Sequence, residues 1–426
     1  MTLSKKKQGL LILTCIALLG FKFLKIDFDP PDMEPWNTEL DGQFVTPVST
    51  VALYRSEKSK AEEIDYDEIN TLVTQAIEAA GGLESIVSDG DSVILKPNLV
   101  GAGGRRPEVN GVTTDNRVVR AVSEIVRELN PSGWIGVLEG SAPGDNQHTA
   151  DMFKLYDYNK ATLPQVDDII CLEDVCGSTK DYDSDELVAA TLPAGKGLYP
   201  NSKKPNNSDE LYYAKLFYNA DVIISIPVLK NHESAALTCS IKNTSIGMTP
   251  ISIYSKSQYD IPNLRFEIEH AYPYMHYWLH DYFMARPTDF VIVDGLQGLQ
   301  YGPGSSDPNN RMNMRLIMAG KDLVSVDAIA AYIIGMDAEI IDYLVYLHND
   351  KVGCVDQRLI RVEGNVSVSD VKKKFKHNDQ RTIDRMVSDF TPPTVSINSA
   401  IVNGNTLSLS LDTSDETKLV EIIVDG

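Results

Sequence analysis

The run Val222-Ile223-Ile224-Ser225-Ile226 constrains this chain most. It is apolar and β-branched with almost no polar alternation, and such a strand is stable only when both of its faces are covered, as in a parallel sheet between layers of helix. The run ends at Pro227 and opens into Val228-Leu229-Lys230-Asn231-His232, with Lys242-Asn243 beginning ten residues beyond the histidine and Gly247 shortly after. Two lysines, a histidine and small residues past one strand end suit an anionic or carbonyl-bearing ligand, because a desolvated lysine is either an anion clamp or a reactive amine.

The same grammar recurs along the chain. Strands are expected at Val51 to Tyr54, Ser92 to Leu95, Trp134 to Leu138, Ile169 to Leu172, Phe290 to Val293, Leu316 to Met318 and near Arg358 to Val362. Between them Ile69, Leu72, Val73, Ala76 and Ile77 recur at helical spacing before Gly81-Gly82, and Thr113-Thr114-Asp115 caps a second helix with Val118, Val119, Val122 and Val126 on its apolar face. Helices are also expected at Met152 to Lys160, Val324 to Ile334 and Glu339 to Leu347. Strands alternating with helices predict an α/β fold with a mainly parallel sheet and helices on both faces.

Ligands of such sheets bind beyond the carboxyl ends of the strands. Four expected strands end there in Lys96, Glu139, Lys230 and Asp294. The candidate catalytic residues are therefore Lys242, His232, Glu139 and Asp294, and the candidate ligand-binding residues are Lys96, Asn98, Thr113, Lys230 and Asn243. Lysines and amides would clamp and polarise an anion, while the histidine and carboxylates supply acid–base chemistry or bind a hard cation. The competing reading is structural: lysines marking strand ends, a hydrogen-bonded histidine, and Asp327 capping its own helix. His276 and His280 stand four apart and either bind a metal or pack among the surrounding aromatics. The metal, if any, and the cofactor stay undetermined. The Gly101 to Gly104 loop matches neither dinucleotide nor P-loop fingerprint.

Outside the body, residues 1–25 carry Lys5-Lys6-Lys7 before the apolar stretch Gly9 to Phe21 and read as a signal or anchor segment, with the body on the far side of the cytoplasmic membrane. Residues 26–48 form a Pro-rich linker, 49–388 the α/β domain, and 389–426 a hinge at Asp389 to Pro393 followed by an incomplete immunoglobulin-like β segment. Asp174 to Asn207 is polar and reads as a long surface excursion. The net charge of −21 argues against a nucleic-acid partner. Cys171 and Cys176 are close enough to pair, and without a Cys-x-x-Cys motif no cysteine-ligated iron–sulfur cluster is expected.

From about Val51 to Gly364 the chain resembles the family catalogued as domain of unknown function 362. The resemblance is carried, in order, by Leu95-Lys96-Pro97-Asn98-Leu99-Val100, Thr113-Thr114, Leu138-Glu139-Gly140-Ser141, Ile226-Pro227-Val228-Leu229-Lys230 with His232, Ile241-Lys242-Asn243, Ile292-Val293-Asp294-Gly295, Gly302-Pro303-Gly304 and Val326-Asp327-Ala328. Some relatives carry ferredoxin-type cysteine motifs; this sequence has none, so the electron-transfer role those relatives imply does not extend to it. A weaker, fold-level likeness is to the nickel-pincer lactate racemases, which also place a His and a Lys ten residues apart, as His232 and Lys242 are here. The expectation is a membrane-anchored, extracytoplasmic protein with an enzyme-like site for a small anionic ligand. A non-catalytic cell-surface binding or adhesion module is the alternative.

Overall fold

A computed structural model describes residues 48–100, 109–140, 149–176, 184–204, 207–254, 267–305 and 307–377 in full, and the backbone of strands at 25–26, 394–403, 406–414 and 424–425. The apolar stretch of the expected anchor, nearly all of the linker, the Gly101 to Gly104 loop and the expected hinge lie outside the described residues. Among those described, no helix is long and apolar enough to cross a membrane. The chain divides into two compact units, residues 34–382 and residues 1–33 with 383–426.

The larger unit is built on a ten-stranded sheet. Its strands are β1 (Ser49–Arg55), β2 (Ser92–Pro97), β3 (Trp134–Glu139), β4 (Asp168–Cys171), β5 (Val222–Ile226), β6 (Val228–His232), β7 (Ala236–Thr238), β8 (Phe290–Leu299), β9 (Arg311–Gly320) and β10 (Ile360–Gly364). Eight of them lie in the order β10-β1-β9-β8-β5-β2-β3-β4, while β6 pairs with β8 and with β7. Within the path of eight, only β9 runs against its neighbours. The sheet is thus mainly parallel, and the central run Val222–Ile226 is buried at every position, as its composition requires.

Helices cover both faces. Helix α1 (Tyr66–Ala79) is capped by Asp65 and α2 (Asn116–Leu129) by Asp115, and both bury their valine and isoleucine stripes against Val93, Leu95, Ile135, Val137, Ile224 and Ile292. The intervening strand residues Ile94, Leu138 and Ile223 point the other way, into a core with Tyr213, Phe217, Trp278 and Tyr282. That second face carries α3 (Ser240–Ser245), α4 (Tyr274–Ala285), α5 (Leu323–Ile333) and α6 (Asp342–Asn349).

Three expectations change. The expected surface excursion is tied to the core: Leu187–Ala190 pairs antiparallel with Leu211–Ala214, Tyr199 is buried, and the Asp281 carboxylate accepts the Leu198 and Tyr199 N–H groups. Lys230 does not end the central strand but sits in the middle of β6, a further strand made of the polar residues that follow Pro227. Asp294 lies within β8, which continues five residues past it.

In the smaller unit Thr394–Asn403 and Thr406–Ser414 form an antiparallel pair, and Lys25–Ile26 pairs with Val424–Asp425.

Candidate functional site

From β2 the chain crosses through α2 to β3 and on to β4 on one side, whereas β5, β8 and the strands beyond lie on the other. The direction of winding therefore reverses between β2 and β5. Strand ends diverge at such a point and leave a crevice.

Lys96 at the end of β2 and Glu139 at the end of β3 meet there, with Nζ 2.8 Å from Oε1 and both side chains almost wholly out of water. The ammonium also donates to the Pro97 carbonyl at 2.5 Å and to Asn243 Oδ1 at 3.3 Å. The other Glu139 oxygen accepts the Leu99 N–H at 2.9 Å. Asn243 is held in turn, its Nδ2 donating to the Lys96 carbonyl and to Ser225 Oγ. Asn98 Nδ2 donates to Asn243 Oδ1, and Asn98 Oδ1 accepts from Lys230 Nζ at 2.9 Å. Lys230 reaches across to the Val112 carbonyl at 2.7 Å. Five of the nine residues singled out from sequence, Lys96, Asn98, Glu139, Lys230 and Asn243, thus form one buried network.

Helix α3 brings Asn243 and Lys242 to this place. Its N-terminal Ser240 and Ile241 N–H groups are accepted by the Asp327 carboxylate, which reaches over from the middle of α5 and also accepts from the Tyr343 hydroxyl. Asp327 therefore caps a neighbouring helix, not its own; Asp322 caps α5. Burial pushes the Asp327 carboxyl up to about 6. The turn after α3 packs so tightly that a Cβ on Gly247 would lie 2.4 Å from the Asn243 carbonyl and 2.9 Å from Lys96 Nζ.

His232 closes β6. Its Nδ1 accepts the Ser234 and Ala235 N–H groups at 3.0 and 3.2 Å, so the neutral ring carries its proton on Nε2. Burial, and then the Lys242 ammonium, hold its pKa well below the usual imidazole value, with His270, Lys230 and His276 adding smaller repulsions. The ring is therefore neutral at physiological pH. Among the described residues Nε2 has no hydrogen-bond partner. Lys242 is half-buried. The site consequently offers a neutral N–H donor beside a cation.

Asp294 stands apart from the lysine network. Its Oδ2 accepts the Asp115 N–H at 2.9 Å and its Oδ1 the Leu296 N–H at 3.0 Å, joining β8 to the start of α2. Burial, with the Asp115 carboxylate second, pushes it up to about 7. Among the described residues Thr113 bonds within its turn, to Asn110, one residue beyond the carbonyl that Lys230 holds. Tyr158, passed over in the sequence, donates its hydroxyl to the Thr114 carbonyl; burial first, and then Asp115, Asp294 and Glu139, raise its pKa well above the phenolic value.

His276 and His280 do not converge. His276 Nδ1 accepts the Tyr343 N–H, whereas His280 lies between Asp281 and Asp350. Among the described residues no three His, Cys, Asp or Glu side chains are grouped to hold a metal. Cys171 and Cys176 are separate buried thiols, the latter donating to the Leu172 carbonyl one turn back.

Comparison with known proteins gives three findings. The family model described as Domain of unknown function (DUF362) matches residues 93–332. The thylakoid-associated protein sll1697 of Synechocystis sp. is 28% identical over 197 residues, 46% of this chain and 50% of that protein. The chain thus spans about half the length of this curated relative. Among solved structures, the lactate racemase apoprotein from Thermoanaerobacterium thermosaccharolyticum aligns over 68% of this chain and 58% of that one, at 14% identity and a TM-score of 0.35. Nothing about the reaction follows from a likeness at that level.

Proposed function

Because the chain belongs to the DUF362 family, whose description assigns no reaction, we propose an activity from the site alone: the body binds a small oxyanion-bearing ligand beyond β2 and β5 and polarises it in an enzyme-like manner. The observation that carries this reading is His232, a buried neutral imidazole whose Nδ1 is engaged by two backbone N–H groups, which leaves Nε2–H as its donor within the field of the Lys242 ammonium. A neutral donor holds a carboxylate or carbonyl oxygen without bringing a second full charge into a partly buried site, and the nearby cation stabilises negative charge that develops there. Lys96, Asn98, Lys230 and Asn243 make the rigid wall of the crevice, with Thr113 at its margin. Glu139 and Asp294, whose oxygens are engaged by Lys96, Leu99, Asp115 and Leu296, position that wall and need not touch the ligand.

Calorimetric titration of the full chain with acetate and with inorganic phosphate tests this. His232→Ala and Lys242→Ala should each weaken binding roughly tenfold or more, the worth of one charge-assisted hydrogen bond; His232→Ala should also lower the melting temperature, since its Nδ1 accepts two backbone N–H groups, whereas Lys242→Ala should leave it near that of wild type. Affinities equal to wild type in both folded variants would sink the proposal and favour a non-catalytic surface module.

We also place the body outside the cytoplasmic membrane on an N-terminal anchor, with the C-terminal strands belonging to an immunoglobulin-like spacer. Lys5-Lys6-Lys7 ahead of an apolar stretch supports the anchor, and a relative named for thylakoid association is compatible with a membrane setting. Recovery of the full chain in the soluble cytoplasmic fraction of its host would refute it.

A further inference from the structure

Strand β1 runs parallel to β5 three places along the sheet, and Arg55 closes it at the same carboxyl edge. Asn365, just past the end of β10, fixes the Arg55 backbone from both sides, accepting its N–H at 2.8 Å and donating to its carbonyl at 2.9 Å. The guanidinium donates to the Asp370 carbonyl at 3.0 Å, while the Asp370 carboxylate turns to Ser367. Beside Arg55 the pairing of β9 is irregular. Gly295 stands opposite Leu316 and Gln297 opposite Asn313, so Met314 and Arg315 together face Leu296 alone, a β-bulge. Arg315 takes φ +60 there, a conformation that glycine adopts without strain and that is costly to a residue with a Cβ. A bulge re-aims the side chain it carries, and this one sends Arg315 to the Lys58 carbonyl. Lys373, in the segment after Val368–Val371, joins them by donating to the Asn313 carbonyl at 2.9 Å.

These three cations hold main-chain carbonyls, and all three bonds lie at the solvent surface. Among the described residues none of the three is paired with a carboxylate, in a chain whose net charge is −21. Lys373 is exposed and Arg55 and Arg315 are half-buried, so a dissolved ion can reach them. Burial, and then the Arg315 and Arg55 charges, hold the Lys373 ammonium below the usual lysine range, so the three charges feel one another. Like charges gathered without a counter-charge, one of them on a strained backbone, repel each other until an anion sits among them.

We infer that Arg55, Arg315 and Lys373 form a second anion site, separate from the crevice, for a small tetrahedral oxyanion: phosphate, or the phosphate group of a small soluble molecule. A guanidinium fork takes two oxygens of such an anion at once. Three positive charges also match a phosphate, which carries close to two negative ones, better than a carboxylate, which carries one.

The test adds inorganic phosphate, and separately acetate, to the full chain carrying Lys242→Ala, so that the crevice contributes little to the measured heat. Phosphate should bind saturably and acetate roughly tenfold more weakly, and Arg55→Gln and Lys373→Gln, each added to that parent, should lose about fivefold to tenfold in phosphate affinity. Arg315→Gly should lose as much while melting close to the parent, because the glycine that removes the charge also removes the strain. No binding of phosphate by the parent overturns the site. Undiminished phosphate affinity in both Arg315→Gly and Lys373→Gln overturns it as well, whatever their melting temperatures, and leaves the cations as ties for three carbonyls. So does sedimentation with phosphatidic acid vesicles in the absence of any binding of free phosphate, which marks a lipid-facing surface in place of a small-ion site. None of these outcomes involves His232, so the reading of the crevice stands or falls by its own titration.

Discussion

Lys96 and Glu139 are charged groups that the fold has taken out of water together. Removing one partner leaves the other buried without compensation, a loss of about 3–5 kcal/mol, whereas replacing both with apolar residues of similar volume costs far less. Lys96→Ala and Glu139→Ala should each lose that much in urea denaturation, and the double variant Lys96→Met with Glu139→Leu should lose less than either. Additive losses would show that the two charges do not depend on one another. Asp294 gives a pH signature. In the unfolded chain its carboxyl titrates near ~3.9; in the fold it titrates at about 7. Between these values the folded state holds the additional proton, so this group's contribution to stability falls as pH rises through the window and stays lost above it. His276 works in the other sense: buried and held at about 4, it leaves the unfolded state to take up protons first, and stability falls as the solution is acidified below the ordinary imidazole value. Asp294→Asn removes only the first effect. Relative to wild type, the variant should gain about 2–3 kcal/mol between pH 5 and pH 8, at ~1.4 kcal/mol per unit. A difference that stays constant across that range would count against the shifted carboxyl.

Among the elements, those dominated by burial could be read from the chain in advance. The run Val222–Ile226 and the capped helices α1 and α2 announce themselves through β-branching, helical spacing and an Asp at the N-cap. The β6–β7 hairpin does not, because Lys230, Asn231 and His232 have the composition of a loop; only pairing to β8 and β7, a tertiary event, makes them strand. Helix α4 shows itself only in the four-residue spacing of His276 and His280, for the opposite reason. Tyr, Trp and Phe surround it so completely that no periodic face appears. At the site, strand-end placement brought Lys96, Glu139 and Asn98 to notice, while Tyr158 gave no local signal. Three variants test the elements that present the site. Gly247→Ala drives a Cβ against the Asn243 carbonyl, and should cost about 1–3 kcal/mol and weaken anion binding, because relief requires α3 to shift away from Lys96. Ala236, at the start of β7, is held at φ +63, a conformation that costs a non-glycine residue roughly 1–2 kcal/mol. Ala236→Gly should therefore hold stability within about 1 kcal/mol of wild type, whereas Ala236→Val should lose clearly more. Thermal melts of the three variants separate these cases.

At the scale of the whole molecule, residues 34–382 form a compact unit with its own sheet and a core on each side. Expressed alone, that segment should unfold in a single cooperative transition and bind anions as the full chain does; non-coincident transitions by fluorescence and circular dichroism would show that it needs the remainder of the chain. The strand order carries a consequence for how the protein is made. Strand β1, the first of this sheet to leave the ribosome, is inserted between β9 and β10, the last two. Its Val51, Ala52 and Leu53 have no sheet neighbour until almost all of the unit has been synthesised, so the nascent chain carries an unzipped apolar edge for most of its birth. Whatever guards the growing polypeptide has that one short stretch to shield, and a product truncated anywhere before residue 311 can never close it.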